Sequence, residues 1–244
     1  MRFFYNKGSI AHWCFLEYFE SDRFIASELN SSGTILPIPL GLKFLDVGCQ
    51  DSPWREKILE LNQGGYFGID VVPTSHGTIW NGGVIPFNDS SFDFVLVTWM
   101  IHYVYDPRQL MVEVGRVLKP NGKVLIVAPI ISPISGSVDE YIESFTSDFW
   151  RFTLSGIRRI LPDELSPIVE KEFGGLGSIL AWPLHAYWLK GIRSRRVLVK
   201  IPSLFGLPLF ALFSVLANLI GLLINYLDRS KMFPSSIGLV AKKH

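Results

Sequence analysis

The stretch Lys43 to Asp70, KFLDVGCQDSPWREKILELNQGGYFGID, decides how this chain is read. It opens on a short apolar run, Phe44-Leu45, that ends in Asp46-Val47-Gly48. A tight turn, Cys49 to Ser52, leads into a helix-like segment from about Pro53 to Leu61. A second apolar run, Tyr66 to Ile69, ends in Asp70. The order is strand, turn, helix, strand, with an acid at the tip of the second strand. In a parallel α/β sheet, ligands bind where the strands end at their carboxyl edge. Gly48 carries no Cβ and lets a backbone come close to a ligand. An acid about 20 residues on, at the next strand tip, suits the two hydroxyls of a ribose. The unit is therefore expected to hold an adenosine-type cofactor.

The dinucleotide fingerprint G-x-G-x-x-G fails here, because Gln50 and Ser52 follow Gly48. No G-x-x-x-x-G-K-[ST] loop is present to cradle a nucleotide triphosphate. The run Leu45-Asp46-Val47-Gly48-Cys49 resembles the first motif of the class I S-adenosylmethionine-dependent methyltransferases, L-D-V-G-C-G-x-G. It departs from that motif at Gln50 and Ser52, where the family usually has glycine. GCQDSPWR, Gly48 to Arg55, is close to a subgroup in which Ser-Pro-aromatic-Arg follows the turn.

The resemblance continues downstream. Ile85-Pro86-Phe87, Ser91-Phe92-Asp93, His102 and Arg116-Val117-Leu118-Lys119-Pro120-Asn121-Gly122 fall in the family's order and spacing. Ser91 to Thr98 reads as a buried parallel strand, and so does Lys123 to Ala128. Between them a helix is expected over about Arg108 to Leu118, with Glu113 and Arg116 as a surface ion pair of small worth. The resemblance implies an α/β, Rossmann-like seven-stranded methyltransferase sheet with helices on both faces. It implies S-adenosyl-L-methionine as cofactor, held by Asp46, Val47, Gly48, Cys49, Asp70, Val71, Asn81 and Gly82. Asn81 stands where the family has an acid that meets the adenine amino group; its amide oxygen can still accept one hydrogen bond, or Asn81-Gly82 is only a turn.

Asp148-Phe149-Trp150-Arg151-Phe152-Thr153 is similar to a signature of bacterial methyltransferases of polysaccharide and glycolipid pathways. Thr153 suits the N-cap of a helix over Leu154 to Leu161. Arg151 either grips an anionic acceptor or bonds loop carbonyls. Before the first strand, Ser9 to Leu29 reads as a helix with Trp13, Phe15, Leu16, Phe19, Phe24 and Ile25 on a broad face.

Length, 244 residues, allows one α/β domain with a sizeable core. The net charge of +1 announces no nucleic-acid surface. Cys14 and Cys49 are far apart, so neither a disulfide framework nor a zinc site follows, and no metal is expected. No apolar core long enough for a signal peptide precedes Glu17, so the expected location is cytoplasmic. The high mean hydropathy, +0.29, is concentrated near the end of the chain.

Ile201 to Leu227 holds no Asp, Glu, Lys or Arg. About 20 apolar residues span a bilayer. However, Ser236 to Lys242 reads as the last strand, inserted antiparallel between the fifth and the sixth. A single crossing would strand it across the membrane from its partners and leave their backbone groups unpaired. Pro202, Gly206 and Pro208 also break the run near its start. The expectation is an arm lying in one leaflet, with the chain peripheral or monotopic on the inner face of the membrane. Lys190, Arg193, Arg195, Arg196 and Lys200 precede it and suit anionic headgroups. Ser214, Asn218, Gly221 and Asn225 form one narrow polar stripe that would face the globular domain or another helix. The bland alternative is a core helix or a dimer surface. The domains are then a core over 1–181, an arm over 182–234 and a returning strand over 235–244.

Methyl transfer to a hydroxyl needs a base. His102, just past the fourth strand and titrating near neutral pH, is the candidate, against a packing role; His76 and His185 are weaker. The sequence thus points to O-methylation of a small-molecule or lipid-linked acceptor, such as a sugar, at a membrane surface. Quinone or other apolar small-molecule methylation is the second reading, and an inactive membrane-tethered module is the third.

Overall fold

The computed structural model describes residues 16–29, 41–62, 65–132, 148–180, 207–228, 230 and 232–244. One seven-stranded sheet organises them, in the order β3-β2-β1-β4-β5-β7-β6. Helix α1 (Leu16–Leu29) precedes β1 (Lys43–Val47), α2 (Arg55–Asn62) and β2 (Gly65–Asp70). There follow β3 (Gly77–Ile79), β4 (Phe92–Thr98), α3 (Pro107–Val117) and β5 (Leu118–Pro129). The chain closes with α4 (Leu154–Ile160), β6 (Leu165–Phe173), α5 (Leu207–Leu227) and β7 (Ser236–Lys243). Of the expected first helix, residues 9–15 lie outside the described residues, as do Cys14, His185 and the basic cluster from Lys190 to Lys200.

Strands β1, β2, β4 and β5 are parallel neighbours, and β1, β4 and the second half of β5 bury their apolar runs on both faces, which is why they read as near-continuous hydrophobic stretches. Two clusters, one per face, make the core. Leu45, Val95 and Ile126 lie in one; Phe44, Phe94 and Leu125 lie in the other. β7 pairs antiparallel with both β5 and β6, so the last strand is inserted between the fifth and sixth as expected. Lys243 on β7 donates to the carbonyls of Gly115 and Leu118 (2.7 and 3.0 Å) and so caps the end of α3.

The family-like motifs hold one another. Asp93 accepts from the Lys43 amide (2.9 Å), and both of its oxygens accept from the Lys119 ammonium (2.9 and 2.8 Å). This ties the Ser-Phe-Asp turn to the start of β1 and to Lys119-Pro120. Glu113 and Arg116 are a correction. Glu113 is buried and accepts from the Ile85 amide (2.9 Å). Arg116 donates to the carbonyls of Ile85 (2.9 Å) and Phe87 (2.8 Å) as well as to Glu113 and Asp89. The pair is a clamp on the Ile85–Asp89 segment rather than a solvated surface pair.

Of the polar stripe of α5, Gly221 and Asn225 face protein. Asn225 Oδ1 accepts from the Gly177 amide (2.8 Å), and its Nδ2 donates to Ser178 Oγ (2.9 Å). A Cβ built on Gly177 would run into the carbonyl of Gly221. The opposite face leaves Leu212, Leu216, Leu219, Ile220 and Leu223 between 49% and 60% exposed. Among the described residues, no helix is long and apolar enough to cross a membrane.

Candidate active site

At the carboxyl edge of the sheet, Asp46, Gly48, Cys49, Gln50, Pro53, Thr98 and Trp99 line a crevice. It opens between the tips of β1 and β4, where an open α/β sheet places its ligand site. Gly48 sits at φ +73° with its amide on the Ile69 carbonyl (2.8 Å). A Cβ there would lie 2.7 Å from Met100 Cβ, so only glycine fits. Gln50 (φ +43°) and Ser52 (φ +55°) adopt the left-handed conformation natural to glycine. The turn therefore keeps a glycine-type path despite its substituted residues.

Asp70, at the tip of β2, anchors that turn. Its Oδ2 accepts from the Gln50 amide (2.8 Å) and its Oδ1 from the Val72 amide (3.1 Å). An ionised carboxylate has about four acceptor positions, so both oxygens still have room for a diol. Asp46 is 1% exposed and accepts from the Tyr66 hydroxyl (2.7 Å). Burial pushes its carboxyl up to about 7; the Tyr66 bond opposes that rise and the Asp70 charge adds to it. Burial likewise pushes the Cys49 thiol up to about 12, with the Asp46 charge adding to it, so this cysteine is no nucleophile at neutral pH.

The other expected site residues lie around this centre. Val47 is buried in β1 and Val71 packs half-buried against the core. Asn81 is exposed, and its Oδ1 accepts from the Gly83 amide (3.0 Å), which makes the turn that its sequence allowed. Gly82, at φ +79°, belongs to the same turn; neither residue lines the crevice. His76 is exposed on the loop before β3.

His102 lies one turn beyond β4, in a short helix over Ile101–Tyr103, and is 4% exposed. It does not line the crevice. Its ring packs on Tyr103 at 3.9 Å, and its Nδ1 has no hydrogen-bond partner among the described residues. Burial lowers the imidazole to about 4; Asp148 pulls it up and Arg151 pushes it further down. Arg151 forks onto both oxygens of Asp148 and donates to the carbonyls of Trp150 (2.8 Å) and Ser132 (3.1 Å). It thus bonds loop carbonyls, one of its two expected roles. Thr153 caps α4 through the Gly156 amide (3.2 Å).

Sequence reasoning missed Thr98, Trp99, Pro53 and Tyr66. Thr98 and Pro53 follow from being at strand and turn tips. Trp99 holds φ +55°, a strained setting for a bulky residue, and no composition signal announces that.

A family model described as Methyltransferase domain (type 11) matches residues 45–126. A ubiquinone/menaquinone biosynthesis C-methyltransferase of Escherichia coli O1:K1 / APEC is 29% identical over 90 residues, 36% of this chain and 36% of its own length. The chain thus matches about a third of the length of such curated relatives. A geranyl diphosphate methyltransferase solved with S-adenosylmethionine superposes with a TM-score of 0.54 at 14% identity, covering 92% of this chain and 85% of the other. An S-adenosylmethionine-dependent methyltransferase from Mesorhizobium loti gives 0.50 at 16% identity, covering 85% and 94%. Residues 45–126 therefore match a methyltransferase domain, and the chain has the fold of the class I S-adenosylmethionine-dependent methyltransferases.

Proposed function

We propose that this chain transfers a methyl group from S-adenosylmethionine to a hydroxyl of a sugar or lipid-linked acceptor at the cytoplasmic face of a membrane. The observation that carries the methyl-transfer reading is the glycine-type turn from Gly48 to Ser52, locked by its Gln50 amide onto Asp70. A tight backbone turn with a carboxylate fixed at the next strand tip fits a nucleoside. In this reading Gly48 and Cys49 present backbone to the ligand, Asp70 receives the ribose hydroxyls, and Asp46 supplies negative charge beneath them. When bound, S-adenosylmethionine supplies a methyl group already activated by its sulfonium. The chain's own task is then mostly alignment of donor and acceptor, from which much of the rate comes.

A hydroxyl acceptor also has a proton to lose. His102 is neutral at pH 7, lies just beyond the tip of β4 and has no partner on its Nδ1 among the described residues, so it is the group assigned to receive that proton. The retained turn at Gln50 and Ser52 favours an enzyme over an inactive module. Similarity to the quinone-pathway C-methyltransferase favours one second reading, methylation of an apolar quinone-like ring.

Calorimetry of S-adenosylmethionine binding tests the cofactor site. The wild type is expected to bind at micromolar concentration and Asp70→Ala to bind at least about tenfold more weakly, the loss of one charge-assisted hydrogen-bond site. A folded wild type that does not bind would remove the enzyme reading. Turnover assays with glycolipid extracts and with a demethylated polyprenyl quinol then separate the two acceptors.

A further inference from the structure

Both roots of the arm lie on the same edge of the sheet as the cofactor crevice. β6 runs parallel to β5 and ends at Phe173, which pairs with Ser236; Ser236 also pairs with Pro129, the last residue of β5. The chain therefore leaves β6 and re-enters β7 at the carboxyl edge. Two strand spacings, about 10 Å, separate β7 from β4. α5 rests on the segment just past β6 through Gly221 and Asn225, and turns its apolar face away from it.

A second apolar patch stands on that edge. Tyr105 is 78% exposed and packs edge-on against Phe149 at 5.5 Å. Trp150 is 42% exposed, and its indole N–H is held by the Val104 carbonyl (2.9 Å). The amides of Phe149 and Trp150 both donate to the His102 carbonyl (2.9 and 3.2 Å). These rings are thus fixed on the short helix beyond β4, next to the proposed base. Tyrosine and tryptophan rings of this kind settle at the headgroup level of a bilayer.

We infer that the carboxyl edge docks face-on to an anionic lipid leaflet, through α5 and the Tyr105-Phe149-Trp150 patch together. The occupant is a bilayer rather than a protein groove for two reasons: the 27 residues from Ile201 to Leu227 carry no charge, and five basic residues sit immediately before them in sequence. The consequence for substrate class rests on the methyl-transfer reading. The acceptor is an amphiphile whose polar head meets the crevice while its chain stays in the leaflet.

The full-length protein would be sedimented with vesicles of phosphatidylcholine alone and with added phosphatidylglycerol. Binding is expected to the anionic vesicles. Leu219→Gln/Leu223→Gln should weaken it about a hundredfold and Tyr105→Ser/Trp150→Ser about tenfold or more, from the apolar area withdrawn. All four residues are exposed, so both variants should keep wild-type S-adenosylmethionine affinity by calorimetry. Full vesicle binding by the aromatic variant would overturn face-on docking, because α5 alone would then suffice. A wild type that ignores anionic vesicles, and that self-associates through α5 in the ultracentrifuge, would overturn the leaflet as occupant. Vesicle binding without S-adenosylmethionine binding would sink the enzyme reading and uphold the docking face.

Discussion

Asp46 is the residue at which charge and function meet most directly. It is nearly inaccessible, bonded to Tyr66, and its carboxyl titrates at about 7, above its ordinary value because of burial. The folded chain therefore holds a proton that the unfolded chain has lost between about pH 4 and 7. By linkage, stability is highest below about pH 4 as far as this group is concerned, and falls as pH rises through 7. Asp46→Asn keeps an acceptor for Tyr66 and removes the titration. Relative to wild type, the variant should gain up to about 3 kcal/mol between pH 5 and pH 8, read from urea unfolding at both values. A cation held in the crevice favours the ionised form. S-adenosylmethionine binding by wild type should thus release a proton near pH 6.5 and tighten as pH rises, seen as a calorimetric enthalpy that varies with the buffer. Equal proton release in Asp46→Asn would assign the effect elsewhere.

Among the elements, those built on long apolar runs were legible in the sequence, and those defined by what surrounds them were not. β1, β4 and the second half of β5 are buried on both faces, so their composition alone announces them. β6 is an edge strand with most of its residues at least partly exposed, including Ile168 and three charged side chains, and carries no such pattern. The site divides in the same way. Gly48 and Asp70 were legible because a strand tip and a spacing define them. Trp99 and Tyr66 were not, because a left-handed tryptophan and a cross-strand hydroxyl depend on tertiary contacts. The Glu113–Arg116 pair on α3 shows the cost of reading spacing alone. Three residues apart on a helix, it looked like a surface pair. Its actual partners are the backbone groups of Ile85 and Phe87, nearly 30 positions away. Arg116→Lys keeps the charge but cannot bridge these groups with one ammonium. It should cost about 1–3 kcal/mol in urea unfolding, the range for leaving buried polar partners unmet. A loss below about 0.5 kcal/mol, the range of an ordinary surface change, would return the pair to the surface class.

At the scale of the whole molecule, two parts share one edge: a sheet that carries the crevice, and an arm whose seat on the segment just past β6 is narrow. The seat is backbone-close at Gly177 and Gly221, with Asn225 bonding the Gly177 amide and the Ser178 hydroxyl. Small residues there let α5 approach to a distance that any side chain would forbid. Gly177 has no side chain to lose, and its replacement touches neither core cluster. Gly177→Ala should therefore lift α5 from its seat while the sheet stays folded. Hydrogen exchange over 207–227 should rise by about tenfold or more, corresponding to a loss of roughly 1.4 kcal/mol of local stability. Urea unfolding of the remainder and S-adenosylmethionine affinity should stay near wild type, because the crevice residues lie three to four strands away from β6. If exchange over α5 does not change, the seat is not what holds the arm. If cofactor affinity falls together with it, the two parts are coupled through the shared edge, and the arm's position governs the site as well as its docking.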